Sequence, residues 1–166
     1  MRHGDAEKRV TDCPQRRLTT AGEAEADAGG LFLRISGEIP DVIMHSSQLR
    51  SIMTAEHVMA AIGSGVPELE RRDDLEEDSS PEDFLEKVTK KYMGSKKRIL
   101  AVGHNPFISR LGALMLTGSR SASFNMELKT GELLGAGGAG KNGWRLRFSA
   151  TPRVLAEIYK AYSGKD

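Results

Sequence analysis

A chain of 166 residues fits one domain and can bury about two-thirds of its unfolded surface around one core. Hydrophobic residues at 39% and charged residues at 28% make a globular composition, and a formal net charge of +1 gives no general attraction for nucleic acid or an acidic membrane, so any grip on an anion must be local. No apolar run approaches a membrane span, the N-terminus lacks the apolar core of a signal peptide, and the one cysteine, Cys13, allows neither an intramolecular disulfide nor a thiolate zinc cluster; a cytoplasmic protein is expected.

In chain order, Thr19 or Thr20 can cap an amphipathic helix running to about Ile35, with Glu23 placed to complete a capping box. Asp41 to His45 is a short apolar run between a proline and two serines and predicts a buried parallel strand. Ser47 to about Ile62 has helical periodicity, with Leu49, Ile52, Met53 and Ala60 on one side. Val66 to Glu70 offers a second strand among charged neighbours. Pro81 opens a helix through Val88, with acids in its first turn and lysines toward its end, as the helix dipole favours. Arg98 to Val102 is the clearest strand, and Gly103-His104-Asn105-Pro106 turns it into a helix from about Phe107 to Leu116. Asn125 to Leu134 and Trp144 to Ser149 partly alternate in polarity around a glycine-rich turn and predict an antiparallel hairpin; Pro152 to Tyr162 closes with a helix. The expected fold is α/β: a three-layer sandwich with a mainly parallel central sheet and an antiparallel edge hairpin, one domain over residues 1–166.

The segment Gly135-Ala136-Gly137-Gly138-Ala139-Gly140-Lys141-Asn142 spells a dinucleotide fingerprint and nearly spells a phosphate-binding loop. Such a loop must follow a strand and open a helix whose N-terminus faces the phosphate, whereas Trp144 to Phe148 reads as strand. Asn142 also stands where a serine or threonine hydroxyl should hold magnesium. A hairpin connection is the expectation.

Three other segments carry chemistry: Arg2-His3-Gly4-Asp5-Ala6, Ser46-Ser47-Gln48-Leu49-Arg50 and Gly103-His104-Asn105-Pro106. Each sits where a strand ends or should end, and in open α/β sheets the crevice beyond the carboxyl ends of the strands is where ligands bind. Two guanidiniums there match phosphate oxygens with fixed forks, and a neutral imidazole between them can attack phosphorus while they offset the charge of the transferring group.

Arg-His-Gly-Asp-Ala resembles the signature of the histidine phosphatase superfamily in its SixA-like, phosphohistidine phosphatase form. Arg16-Arg17-Leu18-Thr19-Thr20-Ala21-Gly22 resembles that branch's Arg-Pro-Leu-Thr-x-x-Gly, Ser47 to Ala55 resembles its Ser-x-x-Arg-Ala-x-x-Thr-Ala, and Gly103-His104-Asn105-Pro106 matches its second histidine motif. The stretches around Leu75 to Glu77, Pro81 to Leu85, and Gly143 through Pro152 are similar too, so the resemblance spans nearly the whole chain. It implies a phosphoglycerate mutase-like fold, no metal and no cofactor. It also implies roles: His3 as the nucleophile that becomes phosphorylated, Arg2 and Arg50 holding the phosphoryl oxygens, His104 donating to them as charge builds, and Arg16, Gly4 and Asn105 as further substrate contacts. Asp5 and Gly4 would shape the loop after the nucleophile, and a backbone carbonyl accepting from the other nitrogen of His3 would fix its tautomer.

Two departures stand out. Relatives lead into Arg-His-Gly with a buried apolar strand, whereas this sequence has only Met1 before Arg2, so a truncated or misplaced start is expected. Arg17 replaces a proline and adds positive charge near the pocket. Phosphate esters need a proton donor for the leaving oxygen, and superfamily esterases keep a glutamate after the third strand. Asp74 and Glu76, in the run Asp73 to Asp78, are the candidates, although a charge run is ordinarily a solvated loop. His45 and His57 read as ordinary histidines without metal-cage spacing, and Phe124 and Trp144 as packing residues.

The function expected is dephosphorylation of a protein phosphohistidine, as on a phosphotransfer domain of a signalling relay, with a phosphate or sulfate ion able to occupy the pocket and neither nucleic acid nor membrane as partner. A small-molecule phosphomonoesterase and a weakly active phosphate-binding module are the alternatives. The short connection from Gly65 to Pro81 leaves little chain for a large lid.

Overall fold

Apolar runs bounded by turn residues form the centre. The computed structural model describes residues 1–8, 16–63, 65, 67–92, 94–118, 126–138 and 143–163. Strand β1 (Val42–His45), wholly buried, lies in the middle of a parallel sheet, with β2 (Glu68–Arg71) on one side and β3 (Ile99–Val102) on the other. Both faces of β1 are covered, which suits the apolar Val42, Ile43 and Met44, and buried His45 at its end pairs its Nδ1 with the Ser46 carbonyl. β2, at the edge, is mostly exposed and charged, which suits a strand that must not recruit another. Val66, where the second strand was expected to begin, is outside the described residues.

Helices cover both faces. α1 (Thr20–Ile35), α2 (Leu49–Ile62) and α5 (Pro152–Tyr162) gather on the side of Ile43, Leu100 and Val102; α3 (Pro81–Tyr92) and α4 (Phe107–Thr117) gather on the side of Val42 and Met44. This is the expected three-layer arrangement, and the alternation of Val42, Ile43 and Met44 between the two cores is the period-two geometry of a strand. Thr19 is the cap of α1, its hydroxyl accepting from the Gly22 N–H at 3.1 Å.

The hairpin departs from the expected boundaries. β4 is Leu133–Gly137 and pairs antiparallel with β5 (Arg145–Ala150) as a two-stranded sheet of its own, with a register shift between Gly135 and Ala136. Gly135 to Gly137 therefore belong to a strand and not to a turn, and residues 126–132, expected as strand, are irregular. The cause is packing: Gly135 faces Phe148 across the ladder, and a Cβ there would sit 2.2 Å from the Phe148 ring. Glycine is the residue that lets the ring lie on the strand. The remainder of the glycine-rich segment, Ala139 to Asn142, is outside the described residues, as are Cys13, Phe124 and Asn125.

The first three residues run beside the end of β3. Arg2 bridges in parallel to Gly103, the Gly103 N–H donates to the Met1 carbonyl, the His3 N–H donates to the Gly103 carbonyl at 3.0 Å, and the Arg2 N–H donates to Glu132 on the other side. His3 is thus held between β3 and the approach to β4. Beside Met1 lies a groove of about 530 Å³, walled in part by Met1, Leu100, Ala101, Leu133, Leu134 and Phe148. The Met1 amino group is buried and donates to the Ala101 carbonyl; burial lowers its pKa to about 5.

α1 and α2 touch through glycine. A Cβ on Gly30 would lie 2.4 Å from the Val58 carbonyl oxygen and 2.7 Å from the Ala61 Cβ. Gly30→Ala gains up to about 1 kcal/mol of helix propensity, but the overpacking costs about 1–3 kcal/mol. The expected result is a lower urea midpoint with an unchanged m-value; an unchanged or higher midpoint would contradict this contact.

Candidate active site

Three segments end at the carboxyl edge of the parallel sheet: Arg2 to Asp5 beside β3, Ser46 and Ser47 after β1, and Gly103 to Pro106 after β3. α2 begins at Leu49, which sets Arg50 in its first turn. His3, Arg50 and His104 are all buried, at 7%, 3% and 1% exposure. Their neighbourhood is shared: the two imidazole centroids are 5.0 Å apart, and the Arg50 Nε donates to Nε2 of His3 at 3.2 Å.

The tautomer of His3 follows from its partners. Nδ1 lies 2.7 Å from the Gly4 carbonyl oxygen, which can only accept, so the ring proton is on Nδ1 and the lone pair on Nε2. Burial, and then the positive charges of Arg50, Arg2 and Arg16, lower the His3 pKa to about 4 despite the stabilising Gly4 bond. His104 is pushed further, to about 2, by burial first and then by His3 and the same guanidiniums. Both rings are neutral at physiological pH.

The loop after His3 is pinned by close backbone approach. A Cβ on Gly4 would meet the Gly22 carbonyl oxygen at 2.4 Å, and one on Gly22 would meet the Asp5 carbonyl oxygen at 1.9 Å. The Gly4 N–H donates to Thr54 Oγ1 at 3.1 Å, and that hydroxyl donates to the Arg50 carbonyl. Asp5 accepts from Thr19 Oγ1 at 2.8 Å and donates its N–H to Glu25.

The other expected residues divide. Arg2 lies in the site segment, but one terminal nitrogen, Nη1, donates to the Leu128 carbonyl at 2.9 Å, while its buried Nε has no hydrogen-bond partner among the described residues. Arg16 donates to the Glu7 carbonyl, and its charge reaches both histidines. Asn105 is engaged by protein partners: its side-chain amide donates to the Leu128 carbonyl, which also accepts from Arg2, and accepts from Ser109 Oγ. Its geometry is that of a brace for the segment entering β4. The Asn105-Pro106 peptide bond is cis.

Neither candidate acid is placed to give a proton to a leaving group. Asp74 is bound by Arg72 at 2.9 and 2.7 Å and by Lys87 at 3.3 Å, and the hydrogen bonds from Arg72 lower its pKa. Glu76 accepts from the Ser47 N–H, the Ser47 hydroxyl and the Gln48 amide, closing the start of α2. The acid at the mouth is Glu77, whose carboxylate pairs with Nη2 of Arg50 at 3.2 Å while half exposed. Within a run of five acids interrupted only by Leu75 the sequence does not single out Glu77; the 3-10 turn Asp73–Leu75, anchored by fully buried Leu75, precedes the acid that pairs with Arg50.

Two neutral imidazoles among three guanidiniums make a pocket with an excess of positive charge, suited to a compact oxyanion. Among the described residues no group of three or more His, Cys, Asp or Glu side chains could hold a metal ion. No helix among them is long and apolar enough to cross a membrane. The depressed pKa means that His3 keeps its lone pair as pH falls past the usual histidine range. In phosphate-free buffer its ring resonances are expected to titrate with a midpoint near 4; a midpoint above 6 would contradict the burial described.

No family model matches the chain, and no curated protein matches it. Solved structures do. The protein histidine phosphatase SixA complexed with tungstate superimposes with a TM-score of 0.76 at 22% identity, over 93% of this chain and 96% of that one. A SixA protein from Agrobacterium tumefaciens, named as a phosphohistidine phosphatase, gives 0.70 at 21% identity over 92% and 95%. A phosphoserine phosphatase from Entamoeba histolytica, in complex with 3-phosphoglyceric acid, gives 0.65 at 17% identity over 93% and 96%. At these identities the likeness is one of fold, and it is the phosphoglycerate mutase-like fold expected from the sequence.

Proposed function

We propose that this chain is a metal-independent phosphatase that works through a phosphorylated His3, with protein phosphohistidine as its substrate. The observation that carries the reading is the state of His3: proton on Nδ1 held by the Gly4 carbonyl, lone pair on Nε2, and the Arg50 guanidinium beside that lone pair. Nε2 attacks phosphorus, the bond from phosphorus to the leaving atom breaks, and the leaving group departs with a proton. Water then attacks the phosphohistidine, inorganic phosphate leaves, and Nε2 regains its lone pair. Arg50, Arg2 and Arg16 offset the charge on the equatorial oxygens, and His104 donates to one of them.

The acids favour a nitrogen leaving group. Asp74 and Glu76 are committed to other partners and Glu77 is ion-paired to Arg50, so none of these three carboxyl groups is free to serve a departing alkoxide. A phosphoramidate nitrogen can take its proton before it leaves and does without such a donor. The solved structures of similar fold bear phosphohistidine phosphatase and phosphoserine phosphatase names, which supports phosphoryl transfer in general.

The test is phosphate release from a phosphohistidine-bearing protein and from p-nitrophenyl phosphate, with and without chelator. The expected result is chelator-insensitive release from phosphohistidine, lost in His3→Ala and lowered about 10²- to 10³-fold in kcat by Arg50→Ala. Activity that survives His3→Ala would end the proposal. Preference for the ester would move it to a small-molecule phosphomonoesterase, and phosphate binding without turnover to a binding module.

A further inference from the structure

The reading above leaves Ser46 without a task, although it is the polar side chain in closest contact with His104. Ser46 is fully buried and its hydroxyl lies 2.5 Å from Nε2 of His104. The Gln48 backbone N–H donates to the same oxygen at 3.3 Å. On the other side of the ring, the buried Nδ1 of His104 has no hydrogen-bond partner among the described residues.

A neutral imidazole has one proton to place, and the two placements are unequal here. With the proton on Nε2, the Ser46 oxygen would accept from both Nε2 and Gln48, which its two lone pairs allow, but its own proton would have no acceptor among the described contacts, and Nδ1 would offer a bare lone pair to a pocket suited to an anion. With the proton on Nδ1, Ser46 accepts from Gln48 and donates to Nε2, so both of its bonds are used in their natural sense. The buried Nδ1–H is then a donor with nothing to receive it until an oxyanion arrives. An unmet buried donor is costly, and a phosphoryl oxygen would relieve that cost most fully as its charge grows.

We infer that Ser46 is a positioning residue: its hydroxyl donates to Nε2 of His104 and holds the ring as the Nδ1–H tautomer, reserving that N–H for the transferring phosphoryl group. The inference rests on the phosphatase reading for its use, but the tautomer can be read without turnover. Low pKa of His104, about 2, agrees with it, since the ring does not escape the choice by taking a second proton.

The experiment is a long-range proton–nitrogen correlation spectrum of the ¹⁵N-labelled full chain, with the His104 signals assigned by their loss in His104→Asn. Wild-type protein is expected to show a protonated Nδ1 and an unprotonated Nε2, with the Nδ1 signal moving on addition of inorganic phosphate. Ser46→Ala is expected to shift the ring toward the Nε2–H form and to lower kcat on p-nitrophenyl phosphate about ten- to a hundredfold with KM nearly unchanged; Ser46→Thr keeps the hydroxyl and restores most of both. A wild-type His104 protonated on Nε2 overturns the inference whether or not any variant folds. So does Ser46→Ala that leaves tautomer and kcat as they were. Failure of the phosphatase reading would show separately, as no turnover by a wild-type protein whose spectrum is as described.

Discussion

The hydrogen bond between Nδ1 of His3 and the carbonyl of Gly4, 2.7 Å long, fixes which nitrogen of the ring can react. It is a local bond, one residue away, and would be loose if the loop were loose. What holds it is the contact of two glycines: Gly4 and Gly22 bring the loop after His3 and the start of α1 closer than any side chain allows. Thr19, Asp5 and Glu25 then tie the same loop to α1 through side-chain bonds. His3, the proposed nucleophile, is therefore oriented by helix packing, and the α1–α2 contact at Gly30 extends that support to the helix that carries Arg50.

The second constraint is electrostatic. Burial keeps His3 and His104 neutral, and the guanidiniums nearby reinforce this because a fourth and fifth positive charge would be repelled. The pocket thereby combines a neutral imidazole with a positive field. Protonated imidazoles would bind an anion more tightly but could not attack it, whereas a field without guanidiniums would leave the phosphoryl charge unbalanced. Glu77 partly offsets the field through its ion pair with Arg50, and under the proposed function an incoming phosphoryl group would compete with it for that guanidinium.

Much of this was legible in the sequence, for definite reasons. Strands β1 and β3 are short apolar runs bounded by turn residues, and α1, α3 and α5 carry caps, charges or proline where helices begin. The site motifs could be read because the Arg50 and His104 segments follow the ends of β1 and β3, which the sheet places side by side, and the His3 segment pairs beside the end of β3. Features set by partners far along the chain could not be read. Gly135 looks like a turn residue until Phe148 is seen lying on it. Asn105 looks like a pocket residue until Leu128 takes its amide. Ser46 meets His104 across 58 positions of sequence, and Glu77 is one of several acids in a row. In each case a long-range contact outweighs the local pattern.

The central claim is that residues from three separate segments surround one oxyanion with Nε2 of His3 as the attacking atom. A crystal structure of the protein soaked with orthovanadate tests it most directly. The account predicts vanadium bonded to Nε2 of His3, with equatorial oxygens on Arg50 and Arg2 and one oxygen within hydrogen-bond distance of His104. Vanadate bound away from His3, or held with Nε2 still turned to Arg50 alone, would contradict it.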